Sequence, residues 1–230
     1  MPEHGGDFAA IRAGLQRLPR PLPPAPTALE PVALLDPEGR PGSDRPMFFG
    51  PARDSAVLVL VYPDQAGTGR LVLIERPAGD LRHAGEVAFP GGAVDLEDVS
   101  PEAAALREAR EEVGLDAAAA GVELLGRLDE VVIRVSGFRV LPVVAVAGHE
   151  PRLQPDAREV AAILRPAVSA FLPGAPLRVV ELERGGWRLR FGAYEVEGHI
   201  VWGATARILG QLGAALSRAP VRPRASGSPR

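Results

Sequence analysis

Three glutamates within five residues are the feature of this sequence that most directly suggests chemistry. Glu111 and Glu112 follow Glu108 by three and four residues, so a helix would place all three on one face. Carboxylates that converge on one point repel each other, and a divalent cation removes that repulsion. Hard carboxylate oxygens are the ligands that Mg²⁺ and Mn²⁺ prefer. The spacing therefore predicts a Mg²⁺ or Mn²⁺ site, and the alternative is a solvated helix face with ordinary ion pairs.

Neighbouring residues favour the metal site. Arg107 lies four residues before Glu111 and can orient a carboxylate. Upstream, Gly91 and Gly92 follow a predicted strand, and two residues without side chains let the backbone approach a ligand closely. The Gly92 carbonyl can then join the metal ligands.

Together these residues resemble the Nudix box, the signature of a family of hydrolases. The second half of the box matches at every specified position, in the run Arg107-Glu108-Ala109-Arg110-Glu111-Glu112-Val113-Gly114-Leu115. The first half departs twice, because fourteen residues separate Gly92 from Arg107 where the standard box has thirteen, and Asp98 replaces a glutamate. The role of Asp98 is therefore open, and fixing the loop is one that its position allows.

The resemblance implies an α+β fold, a Nudix-type α/β/α sandwich with a mixed β-sheet. It also implies hydrolysis of a nucleoside diphosphate linked to another group. The implied catalytic residues and metal ligands are Glu108, Glu111 and Glu112, with the Gly92 carbonyl assisting and Arg107 as a further catalytic residue. One of the glutamates could deprotonate the attacking water instead of only binding metal.

The chemistry of the substrate explains why such a site is needed. A pyrophosphate ester is anionic and repels nucleophiles, whereas metal ions neutralise that charge and lower the pKa of bound water. The family often uses a further acid outside the box as a ligand or base. Our candidate is Glu159, which lies just before a possible strand.

A second resemblance narrows the substrate. The segment Leu73–Gly92 is similar to the signature of Nudix coenzyme A (CoA) pyrophosphatases, and the residues in register are Leu73, Arg76, Gly85, Phe89, Pro90, Gly91 and Gly92. The positions that depart from it are Val72, Ile74, Pro77 and Leu81, and the second arginine stands one place late, as Arg82. The longer box spacing and the segment Ile200–Ala206 also look like this branch.

This branch implies hydrolysis of CoA to 3′,5′-ADP and 4′-phosphopantetheine. CoA carries a pyrophosphate and a 3′-phosphate, and arginine suits bidentate contact with phosphate. Arg76, Arg82 and His83 are therefore candidate substrate-binding residues. Their alternative is loop solvation or an ion pair with Glu75 or Asp80.

Two other functions stay open. One is a Nudix hydrolase for another substrate, such as ADP-ribose, a dinucleoside polyphosphate or an oxidised nucleotide, and a substrate panel would separate it from a CoA pyrophosphatase. The other is a Nudix domain that senses a ligand without catalysis. Intact glutamates in the box argue against a sensor, since a sensor need not keep the metal site.

Local patterns predict the elements that position these residues. Ser100–Val113 is expected to be a helix, with Ser100 as its cap, a proline at its first position and Gly114 after its end. Ala56–Val61 is an apolar run typical of a strand covered on both faces. A hairpin turn joins it to a second predicted strand, Arg70–Glu75. Further strands are expected at Val122–Leu125, Val131–Val135, Arg139–Val146, Leu177–Glu183 and Trp187–Phe191, and a last helix at Val201–Leu216.

The chain divides into three predicted segments. Residues 1–54 form an N-terminal helix and a Pro-rich arm, residues 55–217 the hydrolase domain, and residues 218–230 a disordered tail. Asp7 is expected to cap the helix, and Pro31–Arg53 is expected to be irregular. The first segment either wraps the domain or packs a dimer, so a homodimer is one expectation.

Composition excludes several classes of site. The 230 residues include no cysteine, and all 26 cationic residues are arginines, so disulfides, Walker-A loops and Schiff-base lysines are absent. A net charge of −3 favours a small-molecule substrate over nucleic acid, although the basic tail keeps a nucleic-acid option that a gel shift would test. The sequence shows no apolar run of membrane-spanning length and no signal layout, so we expect no membrane association and a cytoplasmic protein.

Overall fold

Helices and strands alternate irregularly along the chain. The computed structural model describes residues 6–36, 38–41, 53–78, 85–133, 137–184 and 186–218. The helices in this part of the chain are α1 (Phe8–Leu15), α2 (Pro101–Val113) and α3 (Gly203–Arg218). The strands are β1 (Val32–Leu35), β2 (Arg53–Pro63), β3 (Gly69–Leu71), β4 (Leu73–Glu75), β5 (Val87–Ala88), β6 (Gly91–Ala93), β7 (Glu123–Arg127), β8 (Val131–Ile133), β9 (Phe138–Val146), β10 (Ala162–Leu164), β11 (Arg178–Arg184), β12 (Trp187–Val196) and β13 (His199–Val201).

The main sheet is built around β2 and β9. These strands run parallel, in register from Arg53 opposite Phe138 to Val61 opposite Val146. Strands β3 and β6 pair antiparallel with β2, and β7 and β8 pair antiparallel with β9. The sheet is therefore mixed, as predicted.

Helices cover both faces of this sheet. Val59 of β2 belongs to a hydrophobic cluster that includes Leu209 of α3. The next residue back along the strand, Leu58, points to the other face and clusters with Ala109 of α2. Two helical layers around one sheet confirm the predicted α/β/α sandwich.

The predicted strand Arg70–Glu75 is wrong as one unit. It is interrupted at Val72, so that β3 stays with the main sheet while β4 joins a small sheet with β10 and β5. The predicted hairpin turn before β3 is confirmed, and Asp64 stabilises it by accepting hydrogen bonds from Ala66 N–H and Thr68 N–H at 2.9 Å each. Because the chain passes from the main sheet to the small sheet at Val72, Arg76 directly follows the end of β4 in the small sheet.

Helix α2 is confirmed with its predicted caps. Ser100 Oγ accepts a hydrogen bond from Ala103 N–H at 3.2 Å, and Gly114 ends the helix at φ 64°, in the left-handed region that favours glycine. In the first turn, the Glu102 carboxylate receives two hydrogen bonds from Arg127 of β7. Both ends of the helix are thus capped by neighbouring residues, and Arg127 joins its first turn to β7.

The N-terminal segment packs onto the rest of the chain. Asp7 caps α1 as predicted, and Ile11 and Leu15 are buried in the cluster shared with α3. The expectation of an irregular Pro31–Arg53 is wrong for β1, which pairs antiparallel with β12 and is stabilised by that long-range pairing. The division of the chain at residue 54 remains a prediction.

In the C-terminal half, the helix and strand boundaries differ from those predicted. Strand β12 continues past the predicted end to Val196, and β13 occupies the predicted start of the last helix, which begins at Gly203 instead. Residues 134–136, Gly185 and the tail beyond Arg218 lie outside the described residues. No helix in the described chain is long and apolar enough to cross a membrane.

Candidate active site

The packing of α2 directs part of its acidic face inward. Ala105, Ala109 and Val113 are buried against the main sheet, and small alanines let the helix approach closely. Glu112 follows Ala109 by three residues and lies on the same side of the helix, where only 2% of its side chain is exposed. A carboxylate is thereby buried beside β6.

Gly91 supplies the partner of this buried carboxylate. Its N–H donates to Glu112 Oε2 at 2.8 Å. Gly91 has φ 155°, and a Cβ at this position would lie 2.3 Å from the Ala56 carbonyl oxygen, so no larger residue fits. Burial raises the pKa of Glu112 to about 7, although the Gly91 hydrogen bond and Arg76 oppose the shift.

Gly92 makes room for a second carboxylate. A Cβ on Gly92 would lie 2.4 Å from Glu108 Oε1, so the absence of a side chain is what lets this carboxylate lie against the strand. Burial raises the pKa of Glu108, and the hydrogen bond from Arg107 opposes that rise. The two glycines and the two glutamates therefore form one contact between β6 and α2.

Arg107 connects the loop before α2 to the glutamates. Its guanidinium makes two hydrogen bonds to Asp98, at 3.1 and 2.9 Å, and lowers the pKa of that carboxyl. Its Nη1 donates to Glu108 Oε1 at 2.9 Å and to Glu111 Oε2 at 3.2 Å. Asp98 also accepts a hydrogen bond from Asp95 N–H, so the residue that departs from the box fixes the loop.

Glu111 is the most exposed of the three glutamates. Its side chain is 56% exposed and is held outside by Arg107. Each helical residue rotates by about 100°, so Glu111 and Glu112 lie on opposite sides of Glu108. The Glu111 carboxylate still shares Arg107 Nη1 with Glu108, at 3.2 and 2.9 Å, so the role of Glu111 as a metal ligand stays a prediction.

Glu159 lies near the two inward carboxylates. The segment before it is fixed to the end of α2, because Gln154 N–H donates to the Val113 carbonyl and Asp156 N–H to the Glu112 carbonyl, each at 2.9 Å. The charge of Glu159 contributes to the raised pKa values of Glu108 and Glu112. In the part of the chain that the structure describes, no three acidic or histidine side chains form a ready-made metal site.

Arg76, the first of the candidate substrate-binding residues, directly follows β4. Arg76 Nη2 lies 3.8 Å from Glu112 Oε1. Two backbone hydrogen bonds join Arg76 to the described residues before β5, from Arg76 N–H to the Glu86 carbonyl and from Gly85 N–H to the Arg76 carbonyl. Arg82 and His83 lie outside the described residues.

A cavity of about 330 Å³ begins at the glycine pair, Gly91 and Gly92, and lies between the main sheet and α3. It is lined on one side by Arg76, Gly91 and Gly92 and elsewhere mainly by apolar side chains, including Val57, Ile133, Phe138, Val140, Trp202, Ala204 and Ile208. Sequence reasoning did not find the β8 and β9 residues, since only long-range pairing brings those strands here. The sequence signals for this cavity are the segment Leu73–Gly92 and the segment Ile200–Ala206, which contributes Trp202 and Ala204.

Known proteins resemble this chain over more than half of its length. Residues 52–172, more than half of the 230 residues, match the model of the NUDIX domain. A protein named Uncharacterized Nudix hydrolase NudL from Enterobacter sp. (strain 638) is 37% identical over 169 residues, covering 73% of this chain and 85% of the relative. Its namesake from Citrobacter koseri is 39% identical, covering 70% and 81%.

Solved structures of the same kind also align with the chain. The Nudix hydrolase RenU from M. smegmatis is 25% identical, covers 60% of this chain and 80% of its own, and gives a TM-score of 0.44. The NUDIX domain of Shewanella oneidensis NrtR, solved with ADP ribose, is 19% identical, covers 54% and 79%, and gives 0.41. From the family model and the NudL relatives we conclude that the chain belongs to the Nudix family, whose hydrolases generally use divalent metal ions, and that it is a pyrophosphatase.

Proposed function

We propose that this Nudix hydrolase cleaves the pyrophosphate bond of CoA or a CoA derivative, giving 3′,5′-ADP and 4′-phosphopantetheine. One observation carries the proposal: the two segments that resemble the CoA branch line the same cavity. Arg76 and Gly92 come from Leu73–Gly92, the segment before α2. Trp202 and Ala204 come from Ile200–Ala206, which leads into α3. More than a hundred residues separate these segments in the sequence, and the cavity joins them beside the carboxylates.

The donor set around Gly92 suits a hard divalent cation, for which we propose Mg²⁺ or Mn²⁺. The close approach of Glu108 to Gly92 depends on the missing Cβ and leaves backbone and carboxylate oxygens at one place. Glu108, Glu112 and Glu159, with the Gly92 carbonyl, are the proposed ligands. Glu111 is exposed, so its side chain can rotate to complete the set, whereas Gly91 holds Glu112 in place. A bound divalent ion neutralises pyrophosphate charge and acidifies water.

The protein residues have separate tasks in the proposed reaction. One carboxylate takes a proton from the attacking water, and Glu108, Glu111, Glu112 and Glu159 remain the candidates. Arg107 does not face the cavity; it orients Glu108 and Glu111 from the loop side and is therefore a positioning residue. Arg76, beside Glu112 and on the cavity lining, is placed to contact a substrate phosphate. Arg82 and His83 are kept as substrate-binding candidates from the sequence alone.

The experiment is product identification by mass spectrometry with the full chain and Mg²⁺. The panel contains CoA, dephospho-CoA, ADP-ribose, a dinucleoside polyphosphate and an oxidised nucleotide. We expect CoA to be the best substrate and dephospho-CoA to react less well, because a lost charge-assisted contact lowers kcat/KM by roughly 10–150-fold. Faster turnover of ADP-ribose than of CoA would contradict the proposal and favour the other Nudix substrate class. Cytoplasmic localisation, a homodimer and the absence of a nucleic-acid partner are proposed with it.

A further inference from the structure

The cavity beside Gly91 and Gly92 is polar at few positions. Among its described lining residues, the polar side chains other than Trp202 are Ser55, Arg76, Glu86 and Thr205. The Thr205 hydroxyl donates to the Val87 carbonyl at 3.0 Å, and Arg76 faces Glu112. The surface available to a ligand is therefore mainly apolar, formed by valine, isoleucine and aromatic side chains from β2, β8, β9 and α3.

The position of the cavity decides what can enter it. Gly91 and Gly92 line the cavity and also contact Glu112 and Glu108, so a group in the cavity lies next to these carboxylates. At about 330 Å³ the cavity lies near the lower end of ligand pockets, which span roughly 300–1,000 Å³. A cavity of this size suits one arm of a CoA-sized molecule.

The two arms of CoA differ sharply in what they bring next to the pyrophosphate. The nucleotide arm brings a ribose with its 3′-phosphate, which carries a charge of about −1.5 to −2. The other arm brings the pantoyl unit, whose first branched carbon carries two methyl groups. Arg76 is the one cation on the described lining and is already the proposed contact of the pyrophosphate, so a dianion buried among the apolar side chains finds no further cation. The methyl groups, in contrast, gain from leaving water.

We infer that this cavity is the subsite for the pantetheine arm of the substrate, and that the nucleotide with its 3′-phosphate lies outside it. The inference rests on the proposed CoA activity and deepens it. Val57, Val140 and Ile208 contact the pantoyl methyl groups. Trp202, which stacks on Phe191 with ring centroids 5.0 Å apart, forms part of the wall and reports on occupancy.

The test compares the two reaction products as inhibitors of CoA hydrolysis by the full chain. Ala204→Leu adds volume at the cavity lining, and Ala214→Leu is the matched control on the same helix, away from that lining. We expect Ala204→Leu to raise the inhibition constant of 4′-phosphopantetheine at least about tenfold through overpacking, and to change that of 3′,5′-ADP less than about twofold. The control should leave both constants unchanged.

Other outcomes overturn the inference. If Ala204→Leu weakens 3′,5′-ADP as much as 4′-phosphopantetheine, or weakens neither, the cavity does not hold the pantetheine arm. If the parent chain fails to hydrolyse CoA while it hydrolyses another nucleotide of the panel, the proposed function fails and the inference falls with it. CoA hydrolysis with the wrong inhibition pattern refutes the inference alone.

A second measurement uses the parent chain, in case Ala204→Leu does not fold. The chain contains two tryptophans, and Trp202→Phe removes the one at the cavity. We expect 4′-phosphopantetheine, titrated in the absence of CoA, to change the fluorescence of the parent but not of Trp202→Phe. A response to 3′,5′-ADP alone would overturn the inference.

Discussion

The Glu112 side chain is 2% exposed, and its carboxylate accepts a hydrogen bond from Gly91 N–H at 2.8 Å. This contact joins helix α2 to strand β6. A buried carboxylate with one backbone hydrogen-bond donor and an arginine nitrogen 3.8 Å away is poorly compensated in a dry environment. Burial raises its pKa to about 7 for that reason. Such a group costs stability, which is expected where function requires it.

Replacing Glu112 by glutamine separates catalysis from stability. Glu112→Gln keeps the acceptor for Gly91 but removes the charge, so we expect kcat to fall at least about 10²-fold. With EDTA present the melting temperature should hold or rise, because the buried charge is gone. Enzyme assays and thermal melts check both effects. Glu97→Gln, an exposed carboxylate on the loop before α2, should change neither; near-native kcat in Glu112→Gln would make the buried carboxylate dispensable.

Removal of divalent ions should abolish activity. Clustered carboxylates alone repel the anionic substrate, so we expect no hydrolysis in EDTA and recovery when Mg²⁺ or Mn²⁺ is added in excess. The loss and recovery of hydrolysis are measured by mass spectrometry or by chromatography of the phosphorylated products. Ca²⁺ added in the same excess serves as a comparison for a larger ion with different geometry. Full activity in the chelator would refute the metal-dependent mechanism.

Arg107 should act by positioning rather than by contact with substrate. Arg107→Lys removes the planar group that bonds Asp98, Glu108 and Glu111 together. We expect kcat to fall about tenfold or more with little change in KM, since Arg107 is not among the cavity-lining residues. Asp98→Asn keeps the size of the loop anchor but removes its charge, and its kcat should fall less. A rise in KM with unchanged kcat would show instead that Arg107 binds substrate.

Local signals predicted the elements of this fold better than they predicted its site. Ser100 and Gly114 define α2 because capping depends on residues adjacent in sequence. The break between β3 and β4 could not be predicted, because it depends on the pairing of β4 with β10, far along the chain. Strand β1 could not be predicted for the same reason, since it depends on pairing with β12. The proline-rich composition around it favoured an irregular segment instead.

The candidate site shows the same division. The motif placed Glu108, Glu112 and the glycine pair in contact, since all lie on two neighbouring elements. It did not predict that Glu111 is far more exposed than the other two, because helical spacing alone ignores which side of α2 the sheet covers. The cavity needed β9 and α3 together, and no local pattern contains that information.

The ion pair between Glu102 and Arg127 should make stability depend on pH. Its two hydrogen bonds, at 2.6 and 2.8 Å, lower the pKa of Glu102 from 4.5 to about 2. The stabilisation is therefore complete above about pH 4.5 and is lost as the pH falls toward 2. Both side chains are partly exposed, so we expect Glu102→Gln to cost only about 1–2 kcal/mol at pH 7 after solvent screening. Urea unfolding of parent and variant at pH 7 and near pH 2.5 measures the difference, which should shrink at the lower pH. Glu123→Gln, which breaks the more exposed pair with Arg12, should leave the free energy of unfolding at pH 7 nearly unchanged. A Glu102→Gln penalty that is equal at both pH values would show that the loss comes from packing and not from the charge.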